Sequence, residues 1–224
     1  YMPLYLRFNT GLRISNNGER FASLLERFCV HHDGAITELL LIGHSLGGLV
    51  IRSACHLGSE AGHGWVSRVR HIVYLGSPHL GAPLEKTTNV TTSVLGFFNT
   101  TATRVIRDLL NTRSVGVKDL RFGNLVENDW FECDPDELLN NRRVPVPWLA
   151  SARHHLAVGQ ARAGVETFGD AMVLSESAAG RARGSETGAP AGSDVQVMPG
   201  LNHLALARDP SVYEHIERWV RKDG

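Results

Sequence analysis

The chain has 224 residues, enough for one domain with a sizeable hydrophobic core. Apolar residues make up 42% of it and charged residues 21%, which is typical of a globular protein in water. Lysine plus arginine and aspartate plus glutamate number 23 each, so the zero net charge gives no support to a nucleic-acid partner or an electrostatic membrane anchor. No apolar run reaches the roughly 18 residues that a membrane-spanning helix needs. Three cysteines without metal-ligand spacing predict reduced thiols: Cys29, Cys55 and Cys133.

Strand and helix patterns alternate along the first third of the chain. Residues 3–8 are rich in β-forming side chains and predict a strand. Ser15 is the expected N-cap of an amphipathic helix that runs to about Val30. An apolar strand from residue 39, a helix from 46 to about 57 and a strand at 69–75 follow. Right-handed crossovers between such units predict a doubly wound, mostly parallel α/β sheet.

This rhythm breaks between residues 84 and 144, and we expect the insertion to form a cap or lid rather than additional core helices. Three apolar residues within it are candidates for lining a pocket, or equally for cap core: Leu95, Phe97 and Phe98. The chain returns to the sheet at 146–158, and residues 175–194 predict a surface loop. The last strand is expected at 194–198 and a closing helix at 212–220, with Ile216 and Trp219 on its inner face. The prediction is therefore a single domain over residues 1–224 with a cap at 84–144.

The chain is organised around residues 39–50. Residues 43–47 read Gly-His-Ser-Leu-Gly between an apolar strand and a helical pattern, which is the order of a nucleophile elbow. The strand is apolar on both faces, as expected in a parallel sheet that is covered on both sides. The sharp turn needs small neighbours, which Gly43 and Gly47 supply, and Gly48 lets the helix lie close to the strand. Such a turn would hold Ser45 Oγ above the sheet, beside the N–H groups of a helix N-terminus, with His44 packed beside the elbow.

A serine hydroxyl becomes a strong nucleophile only when a neutral imidazole takes its proton, and a carboxylate holds that imidazole in one tautomer. In elbow-type hydrolases the chain order is serine, acid, histidine. His203 fits because it follows the last predicted strand, and the candidate acid is Asp170, in a loop before that strand. Asp194 is the main alternative, but it begins the last strand and would lie at the wrong end of the sheet. Asp209 follows the histidine and breaks the order, and His79 is a candidate for lining the pocket.

Together these motifs resemble the α/β-hydrolase superfamily, and within it bacterial esterase- and lipase-like proteins related to the GPI inositol-deacylase-like group. The resemblance covers most of the chain and lies in residues 5–11, 14–18, 43–48, 76–83, 169–170 and 202–203. It implies an α/β-hydrolase fold and cleavage of carboxylic esters, often of lipids, without a cofactor. It also implies a triad of Ser45, Asp170 and His203, with the Leu46 N–H as one oxyanion donor. The loop after the acid departs from the group, because the usual Gly-Asp-Gly-x-Val-Pro is here Gly-Asp-Ala-Met-Val-Leu.

The group's early strand that ends in a His-Gly turn, the source of another oxyanion donor, is not found in this sequence. The chain opens on Tyr1, so we expect it to be N-terminally incomplete, poorly active and less stable than a longer parent. The expected compartment is the cytoplasm.

Three functions stay open at this point. The leading one is a serine esterase or lipase acting through an acyl-enzyme, and the second is an acyltransferase that passes the same acyl group to an alcohol or amine. The third is a non-catalytic binding module on a hydrolase scaffold, against which the complete triad argues. The expected partner is a small-molecule ester or lipid, with no metal, no nucleic acid and a transient contact of the cap with a lipid surface. The oligomeric state is left open.

Overall fold

The computed structural model describes residues 1–81, 115–131, 144–160 and 189–221. Within these ranges four strands form one sheet in the order of the chain: β1 (Leu39–His44), β2 (Val69–Leu75), β3 (Arg153–Gln160) and β4 (Asp194–Pro199). All three neighbouring pairs are parallel. The helices are α1 (Ile14–His31), α2 (Leu46–Glu60), α3 (Val115–Phe122) and α4 (Pro210–Arg221). Short 3-10 turns lie at Gly64–Arg68, Glu127–Asp129 and Ala205–Ala207. The predicted parallel α/β sheet is confirmed.

Apolar layers cover the two faces of the sheet. Successive side chains of a strand point to opposite faces, so Ile72 and Tyr74 of β2 face one layer and Val73 and Leu75 face the other. The first layer is built from α1, α2, the sheet and the 3-10 turn before β2: Ala22, Leu25, Leu41, Ile51, Ala54, Trp65 and Leu156. The second is built from the sheet, α4 and the 3-10 turn before it: Ala157, Met198, Leu206, Val212, Ile216 and Trp219. The predicted inner face of the closing helix is confirmed.

The predicted strand at residues 3–8 is wrong. These residues are mostly exposed and have no strand assignment, and the strand hydrogen-bonded to β1 is β2. A β-rich segment needs a hydrogen-bonding partner to become a strand, and local composition does not supply one. The expected burial of β1 on both faces also fails at Ile42, which is 48% exposed.

The predicted N-cap of the first helix is wrong as well. Helix α1 begins at Ile14, and Ser15 Oγ instead accepts a hydrogen bond from Trp130 Nε1 at 3.2 Å. The Ile14 N–H donates to the Asp119 carboxylate at 3.0 Å, and Arg13 pairs with the same carboxylate at 2.9 Å. A carboxylate from a distant part of the chain therefore satisfies the helix N-terminus.

Other bounds shift by a few residues. Helix α2 continues to Glu60, β3 begins only at Arg153, and α4 begins at Pro210. The strand predicted at 69–75 has those bounds in β2. Cys29 and Cys55 are free, buried thiols, and burial raises the pKa of Cys55 to about 12.

Much of the predicted cap lies outside the described residues, including Cys133 and the pocket candidates Leu95, Phe97 and Phe98. The part that is described, 115–131, packs on α1 and α2 through Leu120 and Leu125, each 2% exposed. The cap as a whole and the single-domain boundaries stay predictions. None of the helices in the described ranges is long and apolar enough to cross a bilayer.

Candidate active site

Ser45 occupies the single position between the end of β1 and the start of α2. Its backbone has φ 52° and ψ −122°, and within the described ranges it is the one non-glycine residue with a positive φ. Such a conformation costs on the order of 1–3 kcal/mol and persists only when neighbouring bonds enforce it. Here Ser45 N–H donates to the Leu75 carbonyl at 2.9 Å, and its own carbonyl accepts from Gly48 N–H at 3.1 Å. The strand, turn and helix are those of the predicted elbow.

Close backbone packing surrounds the turn. A Cβ on Gly43 would lie 2.6 Å from Gly48 N, and one on Gly48 would lie 2.7 Å from Ser77 Cβ. Both positions therefore require glycine, because real Cβ atoms do not approach so closely. Gly47 differs from the expectation, since a Cβ there would meet nothing within 4 Å.

Leu46 is the first residue of α2. The first N–H groups of a helix have no acceptor within the helix and carry partial positive charge. The Leu46 N–H therefore stands directly after Ser45 in the position that suits an oxyanion donor.

His203 lies in the loop between β4 and α4, where it is 8% exposed. Its carbonyl oxygen is 2.8 Å from His44 Nε2, and the two imidazole rings are 4.7 Å apart. A Cβ on Gly76 would lie 2.9 Å from His203 Nδ1, so the ring sits against the bare backbone after β2. Ser45 and His203 are thus found at the same edge of the sheet, the carboxyl ends of β1 and β2.

Asp194 is placed away from this edge. It begins β4, and its Oδ2 is 2.9 Å from His155 Nδ1. The other ring nitrogen of His155, Nε2, is 3.0 Å from His71 Nδ1. The other end of β4 is five residue steps along the strand, a distance of about 17 Å. The structure therefore joins the alternative acid to a different histidine.

Two other carboxylates in the described ranges, Asp209 and Asp129, accept hydrogen bonds that stabilise the fold. Asp209 caps α4 by accepting from the N–H and Oγ of Ser211, and these hydrogen bonds lower the pKa of Asp209. Asp129 accepts from three backbone N–H groups: those of Leu125, Val126 and Val144. Asp170 lies outside the described residues, so its role as the acid stays a prediction.

His79 does not line an open cavity as expected, because its side chain is fully buried. It packs edge-on against Tyr74 at 4.6 Å and lies 4.8 Å from the Trp148 ring. Arg52 of α2 stacks over Trp148 of this cluster, 4.0 Å from the ring centre, and donates to the Val146 carbonyl at 2.7 Å. This aromatic cluster anchors the helix that follows the nucleophile.

Sequence reasoning also missed how His154 and His44 act. His154 Nε2 is 3.0 Å from the Leu149 carbonyl, which can only accept, so Nε2 carries the hydrogen and Nδ1 accepts from the Tyr74 hydroxyl at 3.3 Å. Burial lowers the pKa of His154 to about 4. The position of His44 beside Ser45 was the only local indication that it belongs to the site. Its contact with His203 could not be predicted, because the two residues are 159 apart in the chain.

Comparison with known proteins places this chain in a family. Residues 22–139, just over half of the chain, match the model of the PGAP1-like alpha/beta domain. No curated protein matched the chain. Among solved structures, Bacillus licheniformis lipase BlEst2 is 14% identical with a TM-score of 0.54, over 92% of this chain and 74% of the lipase. RedJ, a thioesterase from the prodiginine pathway of Streptomyces coelicolor, is 20% identical with a TM-score of 0.50, over 92% and 70%. These likenesses show the fold and leave the activity to the site. The chain therefore belongs to the PGAP1-like alpha/beta domain family and has the α/β-hydrolase fold.

Proposed function

We propose that the protein is a serine hydrolase that cleaves carboxylic esters through an acyl-enzyme on Ser45. The observation that carries the proposal is the strained serine between β1 and α2. A turn with no chemical role would avoid the strain with glycine, which adopts positive φ without steric cost. A strained non-glycine residue with its side chain at the carboxyl edge of a parallel sheet favours a reactive group.

The proposed reaction begins when His203 removes the proton from Ser45 Oγ, which attacks the ester carbonyl carbon. The carbonyl oxygen becomes an oxyanion beside the Leu46 N–H at the α2 N-terminus. Collapse of this intermediate breaks the ester C–O bond, and the leaving alcohol takes the proton from His203. Water, deprotonated by His203, then attacks the acyl-enzyme, releases the carboxylic acid and restores the Ser45 hydroxyl.

The proposed orienting acid is Asp170. Two observations support it besides the chain order: Asp194 is joined to His155, and Asp209 caps α4. A carboxylate on the imidazole fixes its tautomer and stabilises the imidazolium that forms in each step.

The proposed substrate class is an ester or lipid with an acyl chain. The names of the two structural relatives, a lipase and a thioesterase, both denote hydrolysis of acyl groups, which supports this class. Transient contact of the cap with a lipid surface belongs to the same proposal. The cytoplasmic location stays a prediction. Acyl transfer to an alcohol or amine would use the same intermediate and is an outcome of the test below.

The test is labelling with a fluorophosphonate, together with turnover of p-nitrophenyl esters of short and long acyl chains. The variants are Ser45→Ala and, as a matched control, Ser67→Ala, which removes an exposed hydroxyl that bonds only to the nearby Gly64 carbonyl. We expect Ser67→Ala to keep both signals and Ser45→Ala to lose labelling and at least about 10⁴ in turnover. A folded wild-type protein that takes no label would favour the binding module, and label on another residue would displace Ser45. With an added alcohol, an ester product in excess over acid would favour the acyltransferase.

A further inference from the structure

We propose that His44 is a positioning residue for His203, the base in the proposed function on which this inference rests. The contact that suggests it joins His44 Nε2 to the His203 carbonyl oxygen at 2.8 Å. A carbonyl oxygen has only lone pairs to offer, so His44 Nε2 must carry the hydrogen and donate it. The bond holds the backbone of the base and does not involve a ring nitrogen of His203.

The position of His44 in the chain makes this bond significant for catalysis. His44 is the last residue of β1 and is covalently joined to Ser45. Its strand partner is Leu75, whose carbonyl accepts from the Ser45 N–H at 2.9 Å. One short stretch of backbone, fixed to β2, therefore positions the nucleophile and also supplies the donor that holds the base.

The His203 ring is confined from a second side. The Gly76 backbone lies close enough that a Cβ would be 2.9 Å from Nδ1 and 3.2 Å from Cε1. The His44 ring lies 4.7 Å from the His203 ring at an interplanar angle of 41°. The imidazole of His203 is therefore held in two ways, through its carbonyl by His44 and at its ring by the Gly76 backbone.

The expected effect of losing the bond is on kcat. Misplacing a reacting group by about 1 Å can cost roughly 10²-fold in rate, while substrate binding depends on other contacts. We therefore expect removal of the donor to lower kcat about 10- to 100-fold with little change in KM.

The experiment compares three variants of His44. Gln places an amide N–H close to the position of Nε2, Asn places it near Nδ1 and too short to reach, and Leu keeps apolar volume without a donor. For each variant, kcat, KM, the rate of fluorophosphonate labelling and the melting temperature are measured. We expect His44→Gln to keep kcat within about threefold of wild type, and His44→Asn and His44→Leu to lose it as stated, with KM nearly constant.

A kcat for folded His44→Leu equal to that of wild type would overturn the inference. Equal losses of kcat in His44→Gln and His44→Asn would also overturn it, because the losses would then come from changed packing and not from the missing donor. Nitrogen-15 NMR of the wild-type imidazoles separates this inference from the proposed function, because it needs no turnover. A His44 Nε2–H protected from solvent exchange supports the inference even in a protein that hydrolyses no ester. A neutral His44 protonated on Nδ1 overturns it whatever the activity.

Discussion

Ser45 pairs a strained backbone with a hydroxyl that has no evident packing role, so function and stability should oppose each other at this residue. Ser45→Gly relieves the strain, which is on the order of 1–3 kcal/mol, against about 0.4–1 kcal/mol lost to unfolded-chain entropy. We therefore expect Ser45→Gly to be about 1 kcal/mol more stable than Ser45→Ala in urea unfolding, while both lose labelling. Equal stabilities would show that the turn stores no strain.

Gly76 offers a second prediction at the scale of single residues. Its φ is +58°, and a Cβ would meet His203 Nδ1 at 2.9 Å. Gly62 has φ +68° with nothing within 4 Å of the same Cβ, so Gly62→Ala is a control with the same strain and no clash. The positive φ should cost both variants about 1 kcal/mol of stability. Gly76→Ala should lose more because of its clash with His203, and it alone should lose ester turnover. Unchanged turnover in Gly76→Ala would mean that the base is placed differently.

Among the strands, β3 carries a buried histidine, His154, whose protonation makes the free energy of unfolding depend on pH. The pKa of His154 falls from 6.5 to about 4 on folding, mainly through burial, with a smaller opposing effect of the Leu149 hydrogen bond. Between these pH values the unfolded chain binds a proton at His154 that the native state does not bind. The free energy of unfolding should therefore fall as pH drops from about 6.5 to 4.

The corresponding loss from His154 alone is roughly 3 kcal/mol at pH 4. The measurement is the urea unfolding free energy at pH 7 and pH 4 for wild type and His154→Asn. The variant should be less stable at pH 7, because its shorter side chain does not reproduce the bonds to Leu149 and Tyr74. It should also show a smaller drop between the two pH values. The same drop in both proteins would assign the acid sensitivity to other groups.

Elements whose signals are local could be predicted from the sequence. β2 is buried along almost its whole length, so its apolar run at 69–75 marks its bounds directly. The elbow is also local, because strand, glycines and helix are consecutive. The N-terminus of α1 is not local, since Asp119 caps it from about a hundred residues away. Residues 3–8 fail for a related reason, because a strand exists only with a partner and composition cannot show one.

Across the whole molecule, Asp194 and the candidate base His203 lie toward opposite ends of the sheet. Asp194 serves His155 at the start of β4, and the candidate base lies beyond the end of the same strand. We expect Asp170→Asn to lower kcat by about 10⁴ and leave the melting temperature nearly unchanged. Asp194→Asn should keep kcat and lower the melting temperature, because a buried imidazole loses its carboxylate. The reverse pattern would make Asp194 the acid.

The candidate site likewise combines residues that a local motif marks with contacts between residues far apart in the chain. Ser45 and Leu46 could be placed from the motif alone, and His203 from the order of elements. The His44 contact and the confinement by Gly76 come from three separate strands converging at one edge, which no local pattern encodes. His79, only three residues after Gly76, is instead buried in an aromatic cluster with Tyr74 and Trp148.

Trapping the acyl-enzyme tests most directly whether Ser45 is the nucleophile. The protein is mixed with a p-nitrophenyl ester, quenched in acid during the first turnover, digested and analysed by mass spectrometry. A serine nucleophile predicts a burst of p-nitrophenol and one added acyl mass on the peptide that contains Ser45, both absent from Ser45→Ala. Ester turnover in wild type with the acyl mass on another residue, or undiminished turnover in Ser45→Ala, would contradict the account.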